Sequence, residues 1–458
     1  MNTPSTSRVA RRMACAGFLV LATSLTAGPW QSLFNGKDLR GWKVVESGGK
    51  APYTVEKKAI VGTTVAGTPN SFLATEQTYG DFILEYEVKQ EGATNSGVQI
   101  RSQSRPDYQN GRVHGWQVEI DPSARAWSGG LYEEARRGWY YPGSALNPAA
   151  RGAYKPGEWN RFRVEAIGPS IRTWVNGIPV AHVVDDLDRA GFIALQVHSI
   201  GRNDEPGKRI LWRNIRIQTK DLKPSPPDAL FVRNNVPNTL TDAEKAQGWK
   251  LLFDGQSAAG WRGVGKEQFP EHGWKIESGE LVVVGKAGPD DRSPRGGDIV
   301  TTEHYGAFEL QFDFQVTPGG NSGVKYYVQE AGRLGLEYQL LDDEKHPDAK
   351  MGAGGNRTTG SLYDLIPREN MPGGANIPPK PGTWQHGRIV ARADGSVEHW
   401  LNGIKVVEYN RNSRLFAALV ARSKFEKNEG FGRLEKGPIL LQDHGDEVRF
   451  RSIKIRVL

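Results

Sequence analysis

Two short segments carry most of the groups able to do chemistry. In His114–Asp121 (HGWQVEID), strand alternation puts Gln117, Glu119 and Asp121 on one face and Val118 and Ile120 on the other. In Gly335–Asp343 (GLEYQLLDD), Glu337 and Gln339 share a face, while Tyr338 and Leu340 point away. Asp342 falls one residue out of step and needs a bulge or a strand end to join them. Acids and amides side by side on a sheet suit the hydroxyl groups of a sugar; they also suit an ordinary solvated face.

A second kind of candidate is a histidine after Leu-Gln, at His198 and His444. Imidazole moves protons near neutral pH, although a lone histidine is more often structural. Asp443 precedes His444 and would face the other way on a strand; Val197 holds that place before His198. A third set is Asn95 and Asn321, each opening the tetrapeptide Asn-Ser-Gly-Val, with Arg101, Tyr132 and Tyr363. The Asn-Ser-Gly-Val segments read equally as turns or bulges and as ligand contacts. Trp127, Trp139, Tyr140 and Tyr141 fall in Gly-rich loops, where aromatic faces can stack on sugar rings. No motif holds a metal ligand set, a phosphate-binding Gly loop or a nucleophile elbow. No cofactor is therefore expected, with a divalent metal left open.

The candidates come in pairs because residues 30–220 recur, diverged, as residues 249–458. Leu33–Gly36 answers Leu252–Gly255, and Gly41-Trp42 answers Gly260-Trp261. Asn95–Val98 is identical to Asn321–Val324. Gly130–Tyr132 echoes Ser361–Tyr363, and Trp174–Gly177 matches Trp400–Gly403. Leu195–His198 matches Leu441–His444, and Arg213–Ile217 matches Arg451–Ile455. The period is too long for a solenoid, so a whole domain was duplicated.

The elements that must position these groups are strands. Phe82–Val88 and Phe308–Phe314 alternate apolar and polar residues as half-buried strands do. Similar runs at 97–101, 117–120, 162–167, 171–175 and 210–217 recur at 323–329, 336–341, 386–391, 397–401 and 448–457. Asn176-Gly177 and Asn402-Gly403 mark tight hairpins. With almost no helical period, the expected fold is all-β: two tandem jelly-roll β-sandwiches.

The expected organisation is an export signal over 1–27, a first sandwich over 28–220, a linker over 221–247 and a second sandwich over 248–458. In the first segment Arg8–Arg12 precede the apolar run Met13–Leu25 and small residues. That run is too short to span a bilayer. The protein is thus expected in the periplasm or medium, without an integral membrane segment after signal removal. Cys15, the only cysteine, falls in this segment, so neither sandwich can contain a disulfide. The linker carries Lys223-Pro-Ser-Pro-Pro227, read as a semi-rigid spacer, and a capping box at Thr241–Glu244. The formal charge of +7 is spread rather than clustered, so no nucleic-acid partner is expected. The oligomeric state is not legible.

These landmarks in this order resemble the 3-keto-disaccharide hydrolase family, also described as 3-keto-glucoside 1,2-lyase and 3-keto-2-hydroxyglucal hydratase, over both halves. The resemblance implies a concanavalin A-like jelly roll, export, and action on sugars oxidised at C3. A C3 ketone acidifies the C2 proton, so a base can eliminate the C1 substituent and water can add back. That chemistry needs a base, for which Glu119, Glu337 or the histidines are the candidates, a proton donor, for which Tyr132 or Tyr363 are, and partners of the oxyanion or hydroxyls, for which Gln117, Gln339 and Arg101 are. The closing motif of the family stands as Leu441–Gly445. The first copy departs from it, with Val197 for the acid and Ser199 for the glycine. Two similar pockets of unequal activity are expected, the second nearer its family. Two other readings stand beside this one: a pair of carbohydrate-binding modules acting by avidity, and a retaining glycosidase using Glu119 with Asp121.

Overall fold

The computed structural model describes residue 1 and residues 28–286, 291–369 and 379–458. The expected export segment thus lies, but for its first residue, outside the described residues. Each half is a sandwich of two sheets, antiparallel except for one short parallel strand at the edge of the larger sheet of the first. The first pairs a nine-stranded sheet with a seven-stranded one, and the second an eight-stranded sheet with a five-stranded one. Both are concanavalin A-like jelly rolls. Among the described residues, no helix is long and apolar enough to cross a membrane.

Alternation drives the sandwich. Phe82, Leu84, Tyr86 and Val88 turn inward and meet Val98, Ile100, Trp116, Val118 and Ile120 from the opposite sheet in one buried cluster. Phe308, Leu310, Phe312 and Phe314 meet Val324, Tyr326, Leu336, Tyr338 and Leu340 in the same way. Burying one such side chain contributes roughly 1.5–3 kcal/mol. Because Val118, Ile120, Tyr338 and Leu340 turn inward, strand geometry forces Gln117, Glu119, Glu337 and Gln339 onto the outer face.

Register sets who meets whom on that face. Strand His114–Ile120 lies between Ser96–Gln103 and Leu131–Glu134, with Glu119 opposite Gly97, and Gln117 opposite Gln99 on one side and Tyr132 on the other. In the second unit Gln339 is opposite Gly323 and Glu337 opposite Lys325. Asn321–Val324 is thus wholly strand, and in the first unit the strand takes in Ser96–Val98 with Asn95 just before it. The glycine of each segment is required by a close approach. A Cβ on Gly97 would stand 2.3 Å from Gln117 Cδ, and one on Gly323 would stand 2.2 Å from Glu337 Oε1.

The same two strands carry matching bulges, at Arg101 (φ 47°) and Tyr327 (φ 51°). The bulge aims Arg101 away from the outer face. It is fully buried and donates to the carbonyls of Gly80 (2.8 Å), Ala166 (3.0 Å) and Gly168 (2.8 Å) and to Asp81 (2.9 Å). Tyr327 donates to Gly306 O in the second unit, the counterpart of Gly80. Arg101 is therefore a strut between sheet and loop, and the expectation that it binds sugar is corrected.

The Asn-Gly hairpins form as the sequence requires, with φ of 50° and 82° at Asn176-Gly177 and 50° and 83° at Asn402-Gly403. The linker differs from its expectation. It is no spacer but a strap on the first sandwich. Arg172 donates to the carbonyls of Ser225 and Pro226 and to Asp228, each at 2.7 Å, while Glu165 accepts from Ser225. Arg233-Asn234 then adds a parallel strand beside Val183-Val184. The capping box forms at Thr241 and Glu244, and Glu244 also accepts from Asn234 and Lys454, tying the strap to the second sandwich.

Trp127 links the units directly. It is 2% exposed and belongs to the core cluster of the second sandwich, with Trp139 and Ala145 packed beside it. The expectation that it offers a free face to a sugar is corrected.

Candidate active site

Each sandwich has a cavity on the outer face of its smaller sheet. In the first unit it measures about 240 Å³ and is lined by Asn95, Gln117, Glu119, Tyr132 and His198, with Asn70, Arg112, Arg125, Glu134, Trp139 and Gln196. In the second it measures about 310 Å³. Asn321, Glu337, Gln339, Tyr363 and His444 line it, with Lys325, Lys424, Asp298, Gln442 and a loop at 332–335. Thus eleven of the seventeen candidates, Trp139 among them, meet in two pockets of matching construction.

In the first pocket Glu119 is 3% exposed and accepts from Asn95 Nδ2 at 2.5 Å and Gln117 Nε2 at 3.0 Å. Desolvation outweighs these bonds and pushes its carboxyl up to about 7. Gln99 fixes Gln117 from the next strand at 2.6 Å. Tyr132 is pushed up to about 12 by burial first and by Glu134 and Glu119 next, so its phenol keeps its proton. Burial lowers the His198 imidazole below its usual value, and its Nδ1 lies 2.6 Å from Ser199 O. Both polar atoms of Gln196 are buried without a protein partner, a condition that calls for an explanation such as a ligand.

The second pocket exchanges the acid and the amide. Glu337 occupies the register position of Gln117, and Gln339 that of Glu119. Desolvation raises the Glu337 carboxyl, and Lys325 Nζ at 3.7 Å and then Lys424 pull it back. Lys424 is itself lowered, chiefly by desolvation, and lies 4.0 Å from the centre of the Tyr363 ring. Tyr363 donates to Asp348 at 2.8 Å and is raised by burial and by that bond. Gln339 donates to Asn321 Oδ1 at 3.0 Å, leaving its own Oε1 without a protein partner. His444 is half exposed at the rim, beside Asp446.

Two carboxylates do not join the pockets. Asp121 ends its strand, accepts from the Ser123 amide and holds Arg125. Asp342 likewise lies just past its strand and accepts from the amides of Gly319, Glu344 and Lys345. Both cap turns at the sheet edge, so the expectation that they bind substrate is corrected. The retaining-glycosidase reading loses its second acid with Asp121.

Other lining residues escaped the sequence reading. Lys325 was within reach of it, because Asn321, Gly323 and Lys325 alternate onto one face. Lys424, Asp298, Arg125 and Asn70 come from loops that no period places.

A concanavalin A-like sandwich with a buried acid and amides in a cavity on its outer sheet face presents groups that can hold sugar hydroxyls. Comparison with known proteins gives the family. The 3-keto-alpha-glucoside-1,2-lyase-like domain matches twice, over residues 29–218 and 248–456. The chain belongs to that family and is a carbohydrate-directed hydrolase. It is 37% identical over 238 residues to the 3-keto-disaccharide hydrolase of Bacteroides thetaiotaomicron, covering 46% of this chain and 79% of that protein. A crystal structure of a glycosyl hydrolase candidate from Parabacteroides distasonis ATCC 8503 is 31% identical, covering 48% of this chain and 99% of the other, with a TM-score of 0.41. The carbohydrate-binding module CBM66 of Bacillus subtilis is 15% identical, covering 39% and 95%, with a TM-score of 0.26.

Proposed function

We propose that this protein is an exported enzyme that cleaves 3-keto-glycosides by elimination and rehydration, giving net hydrolysis. The observation that carries this reading is a buried carboxyl in each pocket, raised by desolvation, among amides in the first and beside Lys325 and Lys424 in the second, and near a protonated tyrosine. A carboxyl raised in this way is a competent base near neutral pH.

Glu337 in the second unit and Glu119 in the first take the C2 proton that the C3 ketone acidifies. The electron pair forms the C1–C2 double bond as the C1–oxygen bond breaks. Tyr363 or Tyr132 gives its proton to the leaving oxygen. Water then gives its hydroxyl to C1 and a proton to the tyrosine phenolate, and the carboxylic acid gives a proton to C2, which restores both groups. Lys424 and Lys325 stabilise negative charge on the C3 oxygen in the second pocket, whereas Gln117 and Arg125 stand nearest that role in the first. His198 and His444 serve the leaving group or the returning water at the rim.

Turnover in D2O tests this scheme. The released 3-keto-sugar acquires deuterium at C2 in the scheme proposed, read by NMR or mass spectrometry at early conversion, with recovered substrate as the control for simple exchange. A product without deuterium at C2, together with no primary isotope effect on kcat/KM for the substrate deuterated at C2, would mean that the C2–H bond is not broken and would sink the elimination.

A further inference from the structure

We infer that the second unit binds a divalent transition-metal ion through His346, His444 and Asp446, and that the first unit has lost this site. One potential ligand atom from each of the three residues lies within 4.8 Å of the other two. Ligands about 2.0–2.2 Å from a shared ion stand roughly 3–4 Å apart, so a small contraction closes the set. The groups can make it, because His444 is exposed and His346 and Asp446 are only partly buried. The two imidazoles stand edge to face with centres 5.9 Å apart, and His444 Nδ1 is 3.7 Å from Asp446 Oδ2. Asp446 is oriented by the Asn321 amide at 3.1 Å. The Asp348 amide reaches His346 Nδ1 at 3.2 Å. Capture of a metal at the opposite nitrogen competes with that contact for the tautomer, and at this length the hydrogen bond is the weaker claim.

Two nitrogens and one carboxylate on one side, with the other positions open, favour a transition metal over Ca²⁺ or Mg²⁺. Three protein ligands with free positions are also the pattern of a site that works on a bound molecule rather than one that holds a fold. His444 lines the cavity that contains Glu337, so an ion held there borders the same space.

The first unit supplies the internal contrast. His346 follows Asp342 by four residues, and the residue four after Asp121 is Arg125. Asp446 follows His444 by two, and the residue two after His198 is Ile200. The Arg125 guanidinium lies 3.8 Å from Glu119 and close enough to His198 to disfavour its protonation. A fixed cation thus stands in the first pocket near the place that a metal ion takes in the second.

Titration of the chelator-treated full chain with Zn²⁺, by calorimetry and without substrate, tests this site independently of the proposed reaction. One ion per chain is expected. His346→Arg, which copies the first unit, and Asp446→Asn should each weaken binding at least tenfold, with circular dichroism confirming the sandwich. Arg125→Ala should leave the affinity unchanged. No binding below millimolar Zn²⁺, Ca²⁺ competing as well as Zn²⁺, or undiminished affinity in folded His346→Arg and Asp446→Asn would overturn the assignment.

Discussion

The two pockets share a plan and differ in where the charge sits. In the first, the acid Glu119 stands opposite Gly97 and is surrounded by amides, with Arg125 the cation 3.8 Å away. In the second, the acid Glu337 has moved two residues along the strand, opposite Lys325 and near Lys424. Moving the acid by two residues keeps it on the same face of the sheet, because a strand repeats every two residues. A duplicated strand can therefore exchange acid and amide without disturbing the core. What changes is the balance of desolvation and cations, and hence the pH at which each acid works as a base.

The largest expected effect separates the units as catalysts. Glu337→Gln should lower kcat on a 3-keto-glucoside by about 10²–10⁴-fold, the usual weight of a general base. Glu119→Gln in the full chain should cost far less. Equal losses would mean that the units contribute alike, and a larger loss at Glu119 would invert the comparison.

Next comes the joint between them. Trp127→Ala removes a first-unit side chain from the second unit's core and should cost about 3–5 kcal/mol. In calorimetry, a single unfolding transition should split into two, with the second sandwich the more affected. An unchanged thermogram would show that the units are energetically independent.

Gly323→Ala and Gly97→Ala test the shared close approach. Each should cost about 1–3 kcal/mol through overpacking. Gly323→Ala displaces Glu337 itself and should also depress kcat, whereas Gly97→Ala displaces only Gln117.

The smallest effect is on pH dependence. Glu119 has its folded pKa raised to about 7 above the usual carboxylate value of 4.5. Between those values the folded state binds more protons than the unfolded state, so stability falls as pH rises from about 4.5 to about 7. In urea titrations, Glu119→Gln should flatten this fall by on the order of 1–3 kcal/mol. Activity borne by the first unit should rise through the same upper limit as the carboxyl ionises. In the second unit, Lys325→Gln removes the leading cation that lowers Glu337 and should move its acid limb to higher pH.

Much of the site was legible because strand alternation is local. It placed Gln117, Glu119, Glu337 and Gln339 outward without reference to any other segment. It failed at Arg101, where the backbone bulges and the side chain turns inward, a change set by the partner strand and by carbonyls at Gly80, Ala166 and Gly168. It also failed at Asp121, and it left Asp342 out of step; at both, the strand ends and free amides of the following turn capture the carboxylate. Trp127 was misplaced because its partners come from the other sandwich.

By itself, the sequence determined two tandem jelly rolls, the outward polar faces and the hairpins, since each follows from alternation or from the φ that Asn-Gly tolerates. Only the tertiary structure decided which polar groups meet. Lys424 against Tyr363, Arg125 beside Glu119, and the cluster of His346, His444 and Asp446 join loops that fold independently of any strand period. The reason is physical: a strand's facing is fixed by its own covalent geometry, whereas a loop's path is fixed by what it packs against.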